Sequence, residues 1–219
     1  MSTTKINRLT IRVISYILNG KKTLYDEKET PSYKNGRVFM KNKQKVFQMA
    51  VIGVAAAVLC VLGPLSIPIG VVPITFTNLA IYFVLYALGV KKGTVSFIIY
   101  LLIGLTGVPV FSNFTGGPVK LLGPTGGYLI GFIFMALIAG FFIDRFFESK
   151  VLCFTGMIIG TAICYSFGTA WLSYQASMSL SAALSVGVIP FIPADLIKIL
   201  MAVFIGPKLR RRLIQAGLF

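Results

Sequence analysis

The chain of 219 residues has no histidine, six acidic residues, three cysteines and one tryptophan. Without histidine there is no imidazole acid or base, no Ser-His-Asp triad and no His-based metal site. Cys60, Cys153 and Cys164 all lie in apolar stretches and share no CxxC spacing. They read as small buried hydrophobes, not as metal ligands or disulfide partners. No metal and no cofactor is expected. There is also no Gly-x4-Gly-Lys-[Ser/Thr] loop, and Gly20-Lys21-Lys22 does not supply one, so ATP cannot be bound and hydrolysed by that route. The Gly-x-Ser-x-Gly elbow is missing as well. Of the acids, Asp26, Glu27 and Glu29 fall in a polar N-terminal region. A membrane enzyme would need a convergent acid/base set, and only Asp195 with Lys198 offers one. No residue is assigned a catalytic role.

What is present is apolar: 56% of the residues, against 12% charged. Soluble domains carry about a quarter charged residues, so this is the composition of a polytopic membrane protein. The length accommodates about six spanning helices of ~20 residues joined by short loops. The net charge of +15 resembles a nucleic-acid signal only until it is mapped. Eleven of the 21 Lys and Arg precede Val46, and Lys208, Arg210, Arg211 and Arg212 close the chain. Basic flanks around an apolar body fit contact with anionic lipid at the cytoplasmic face of a bilayer, and no nucleic-acid partner is expected.

Residues 1–45 are polar and interrupted by Asn19-Gly20 and Pro31-Ser32. They read as a loosely ordered cytoplasmic arm in which Leu9–Leu18 can form a short amphipathic helix on the membrane surface. Residues 46–219 form the membrane domain. Its apolar segments run over about 46–62, 74–90, 94–106, 125–143, 151–175 and 190–206, separated by Gly and Pro turns. Lys91, Lys92, Asp144, Arg145, Glu148 and Lys150 share one side with both termini, whereas the opposite connections contain a single cation, Lys120. The charge asymmetry predicts an all-α bundle of six transmembrane helices with N and C termini cytoplasmic, a multi-pass protein of the plasma (inner) membrane.

Two features carry chemistry. Asp195 and Lys198 stand three residues apart in an apolar stretch, on one face of a helix. A charge at bilayer depth costs roughly 2.5–3.5 kcal/mol on the milder scales, so the pair should face the bundle interior or a water-filled cavity. It either binds a ligand or merely locks helix to helix. The external connections are the second feature. Ser112-Asn113-Phe114-Thr115-Gly116-Gly117 and Gly123-Pro124-Thr125-Gly126-Gly127-Tyr128 are rich in glycines that let backbone amides come close to a ligand. In the first segment, Gly53 with Ala57 and Ala56 with Cys60 place small residues at a spacing of four. That pattern lets another helix approach, within the bundle or on a separate membrane subunit.

These residues resemble a known family. Ser66-Ile67-Pro68-Ile69 with Val72-Pro73-Ile74-Thr75, then Gly104–Phe111, Leu122-Gly123-Pro124-Thr125-Gly126-Gly127-Tyr128-Leu129 and Ile192-Pro193-Ala194-Asp195-Leu196-Ile197-Lys198 look like the BioY proteins. Those are the biotin-binding S components of energy-coupling-factor (ECF) transporters. The motifs follow the family's order over about 46–210, while residues 1–45 have no counterpart in it. Where the family commonly has Gln after its Val-Pro-x-Thr stretch, this chain carries Thr77 or Asn78. The resemblance implies high-affinity capture of biotin from outside the cell. A membrane T component and two ATP-binding subunits would supply the energy. It also implies that Asp195 accepts the ureido N–H groups and that Lys198 meets either the ureido carbonyl or the tail carboxylate. Asn113 and Thr77 would supply further polar contacts, and Gly127 and Tyr128 would line the slot. Gly53, Ala56, Ala57 and Cys60 would form the docking face. The remaining readings are an S component for another small vitamin, a membrane scaffold, and an enzyme using Asp195.

Overall fold

The computed structural model of the chain describes residues 31–68 and 72–216, with side chains from 44 onward. The backbone divides into two units, Met1–Val46 and Phe47–Phe219. Helix α1 spans Pro31–Leu62. Its start at a proline follows from geometry, since a ring-fixed φ and a missing N–H cost nothing at the first helical position. Residues 31–45 are thus helical where the sequence suggested a loosely ordered arm. Extending a helix already nucleated in an apolar span adds a hydrogen bond per residue at little cost. The amphipathic stretch expected at Leu9–Leu18 lies outside the described residues.

Among the described residues, four helices are long and apolar enough to cross a membrane: Gln44–Leu62 of α1, α2 (Thr77–Leu105), α4 (Gly126–Phe146) and α5 (Lys150–Gln175). A fifth is the pair α6 (Leu180–Gly187) and α7 (Ile192–Gln215), bent by 51°. Short pieces occupy the loops: strands β1 (Ser66–Ile67) and β2 (Ile74–Thr75), a 3-10 turn at Ser112–Phe114 and helix α3 (Pro118–Leu122). The strands pair antiparallel with Ser66 opposite Thr75.

Helix α2 is not one straight rod. Gly89 has φ +77° and ψ 174°, a conformation that a residue with a Cβ rarely adopts. A Cβ placed on Gly93 would lie 3.4 Å from the Leu85 Cα. In a continuous helix residues eight apart are separated by about 12 Å. The chain therefore doubles back at Gly89, and its two arms pack side by side. Thr77 and Tyr100, at opposite ends of the helical assignment, consequently line the same cavity. Asp144 of α4 ties this turn, accepting the Val90 N–H at 2.8 Å and an Arg210 Nη1–H bond at 2.8 Å. The apolar segments of the sequence placed the break between residues 90 and 94, where the glycine is Gly93. That glycine is instead the close-packing position just beyond the turn.

The core lies among α2, α4, α5 and α7, where Tyr82, Leu85, Phe97, Met135, Ala136, Met157 and Ala202 are fully buried. Only 17% of the α1 span is buried, against 56% for α4, so α1 lies at the periphery. It turns Ala55, Ala56 and Leu59 inward and leaves Gly53, Val54, Ala57, Val58 and Val61 exposed.

Candidate functional site

Proline at the second position of α7 and the bend after α6 put Asp195 in the first turn of a helix. The apolar run in the sequence had suggested mid-span. An anion in a first turn is favoured by the helix dipole, which offsets part of the cost of burying it. Asp195 and Lys198 are each only 7% exposed. Their side chains meet as the spacing of three predicts, with Lys198 Nζ 2.9 Å from Asp195 Oδ1.

Two further groups complete the cluster. Tyr165 of α5 donates its hydroxyl to Asp195 Oδ2 at 2.6 Å. Lys198 Nζ donates to the Thr75 carbonyl at 2.6 Å. The pairing of β1 with β2 explains why a backbone carbonyl is available there: Thr75 ends a two-residue strand, and its carbonyl turns toward α7. A buried ion pair survives only when such extra bonds satisfy it. Satisfaction is nevertheless incomplete. A carboxylate offers about four lone-pair sites and an ammonium three protons. Beyond the bonds named, Asp195 keeps an acceptor site on each oxygen, and Lys198 keeps one donor. The cluster can therefore still receive a neutral group that presents a donor beside an acceptor.

It lies against a partly open cavity. Apolar walls come from Tyr100, Tyr128, Leu129, Phe132 and Phe191. Polar groups are few: Thr75, Thr77, Asn78, Ser112, Lys120 and Thr125 besides the cluster. Asn78 is 3% exposed, and its Oδ1 accepts the Leu79 N–H at 3.0 Å. Its amide nitrogen makes no hydrogen bond among the described residues. Tyr128 is fixed by donating to the Gly187 carbonyl at 2.9 Å, so its ring is a rigid wall.

Asp195, Lys198, Thr77 and Tyr128 are thus brought together at one cavity. Asn113 and Gly127 are not. Asn113 is exposed in the 3-10 turn with φ +59°, and its Oδ1 accepts from Ser66 Oγ at 2.7 Å. Its side chain pins the 3-10 turn to strand β1. A Cβ on Gly127 would stand 2.3 Å from Trp171 Cβ, so this glycine lets α4 and α5 pack closely. Gly116 and Gly126 are also close crossings, where a Cβ would collide with the carbonyls of Val108 and Leu121. No glycine of these two loops lines the cavity. Among the small residues of α1, Gly53 and Ala57 form an open face, whereas Ala56 is 1% exposed and Cys60 is half-buried. Tyr165 and the Thr75 carbonyl went unmarked in the sequence. Nothing in the sequence separated Tyr165 from tyrosines of the core such as Tyr82 and Tyr86.

The geometry has parallels. Residues 40–215 match the BioY family. The chain is 34% identical over 169 residues to the biotin transporter BioY2 of Lactococcus lactis subsp. cremoris, covering 77% of this chain and 93% of that protein. It is 37% identical over 164 residues to the biotin transporter BioY of Thermotoga maritima, covering 75% and 96%. The crystal structure of the S-component for biotin from an ECF-type ABC transporter superposes with a TM-score of 0.71 at 33% identity, covering 78% of this chain and 94% of that one. Sequence match, shared fold and an intramembrane charged pair at a cavity agree, and the chain belongs to the BioY family.

Proposed function

We infer that the chain is the biotin-capturing membrane subunit of an ECF-type transporter in the plasma membrane, and not an enzyme. The observation that carries this reading is the Asp195–Lys198–Tyr165 cluster, with two acceptor sites and one donor left open beside the cavity. Biotin's ureido ring presents two N–H donors and one carbonyl. Asp195 accepts one of the two N–H bonds, a charge-assisted one; the N–H groups of a cyclic urea point to opposite sides of the carbonyl, so the other turns away from this carboxylate. Lys198, already directed at Thr75 and Asp195, gives its remaining proton to the ureido carbonyl, with the Asn78 amide as a second donor. The apolar bicycle packs on Tyr128 and Phe132.

Release into the cell requires energy, and the chain has no nucleotide-binding loop. A membrane T component and two cytoplasmic ATP-binding subunits supply it. Gly53 and Ala57, on the open face of α1, dock the T component. The doubling of α2 at Gly89 and the joined α6–α7 pair support a reading of six crossings, and the basic flanks support placing both termini on the cytoplasmic side. Residues 46–219 make the substrate-binding domain, and residues 1–45 remain on the cytoplasmic side.

Equilibrium dialysis of the purified, detergent-solubilised chain with labelled biotin tests the reading. Saturable one-to-one binding is expected, and indifference to biotin would overturn it. Docking has its own check. Ala57→Leu should keep biotin binding while abolishing ATP-driven uptake, since a larger side chain holds a partner helix off. Normal copurification of this variant with the ATPase complex would place docking elsewhere.

A further inference from the structure

Lys120 has no role in the cluster, yet it lines the same cavity as Asp195 and Lys198. It is the single cation of the external connections. Carried on α3, it is half-buried, and its ammonium makes no hydrogen bond or ion pair among the described residues. Burial lowers its ammonium below the ordinary lysine range, the mark of a charge that has lost water without gaining a counter-ion. With Thr125 it also lines a second hollow, bounded by Thr115, Val119 and Pro124, so these two side chains stand where the two spaces adjoin.

The charge balance of the cavity then decides what an acidic ligand meets. Lys198 is neutralised by Asp195 at 2.9 Å and further engaged by the Thr75 carbonyl. A ligand whose head is neutral but whose tail is a carboxylate therefore finds no free cation at the cluster. Lys120 is the remaining lysine of the cavity lining.

Building on the biotin reading above, we propose that Lys120 is the counter-ion of the ligand's tail carboxylate and, with the Thr125 hydroxyl, makes the site select free biotin over biotin whose carboxyl group is amidated. The selection follows from chemistry: an amide presents no charge to the ammonium and directs N–H donors at a donor. A charge-assisted bond of this kind is worth about a tenfold difference in affinity.

The test compares Kd for biotin and for biotinamide in the full-length wild-type chain, Lys120→Met and Lys120→Arg. Wild type should bind biotin about tenfold more tightly than biotinamide. Lys120→Met should weaken biotin by about that factor and leave biotinamide unchanged, abolishing the preference. Lys120→Arg should keep it. Equal weakening of both ligands by Lys120→Met would mean that Lys120 only packs the wall. No change for either would mean that the tail lies elsewhere. Each result overturns the proposal while leaving biotin capture intact, whereas a wild-type chain that binds neither ligand overturns the biotin reading itself.

Discussion

Helix α7 carries an ion pair near each end. In its first turn Asp195 and Lys198 meet at 2.9 Å with side chains 8–10% exposed. Fifteen residues on, about 22 Å along the helix, Arg210 meets Asp144 of α4 at 2.8 Å. Both pairs involve one carboxylate that also accepts a second bond, from the Tyr165 hydroxyl in one case and the Val90 N–H in the other. The difference lies in what surrounds them. Asp195 opens onto a cavity and draws its extra donor from a side chain on another helix. Asp144 closes the backbone turn at Gly89, and the Arg210 guanidinium also lies over the Phe147 ring at 5.2 Å. One pair turns its open bonding sites toward a space that a ligand can enter, and the other holds helices together where, among the described residues, no such space adjoins it. The lesson is that an ion pair in a membrane bundle is read as a site by the space it faces, not by its charge.

The sharpest way to break this comparison is to neutralise each acid in turn. Asp195→Asn should weaken biotin by about 3 kcal/mol, roughly a hundredfold in Kd, because it strands Lys198 and turns amide donors toward ureido donors. Asp144→Asn should leave Kd within about twofold and instead lower the apparent melting temperature. Equal effects on Kd would erase the distinction between the two ends.

Gly89→Ala probes the structural end further. A Cβ there meets the Asp144 carboxylate at 3.0 Å with φ at +77°. The expected cost is about 1–3 kcal/mol of stability, seen in thermal unfolding of the solubilised chain, with biotin affinity retained if the protein is folded. Unchanged melting would mean that the turn relaxes freely.

Tyr165→Phe is the milder probe of the ligand end. It removes the 2.6 Å bond to Asp195 and leaves that oxygen unfilled. A loss of about tenfold in biotin affinity is expected with little change in melting. An effect on melting alone would assign Tyr165 to the scaffold. The smallest effect belongs to Glu148→Ala. Its 3.5 Å contact with Arg211 has side chains 61–71% exposed, so stability should change by less than about 0.5 kcal/mol and affinity not at all.

Composition, charge and spacing determined a good deal unaided. The apolar fraction established a membrane protein. The separation of Asp195 from Lys198 by three positions predicted their contact, because helical periodicity is a local property and needs no neighbour. Resemblance in ordered motifs supplied the family. What only the tertiary structure decided was which other groups converge on that pair. Tyr165 lies thirty positions away and the Thr75 carbonyl one hundred and twenty-three. A tyrosine among apolar residues is indistinguishable in sequence from a core residue, and a carbonyl has no sequence signature at all. Asn113 and Gly127, conspicuous in glycine-rich loops, proved to join turn to strand and helix to helix. Gly89 rather than Gly93 took the turn, because the Asp144 carboxylate holds the following N–H. Local spacing determines which side chains share a face of one helix, but the packing of several helices determines which faces meet.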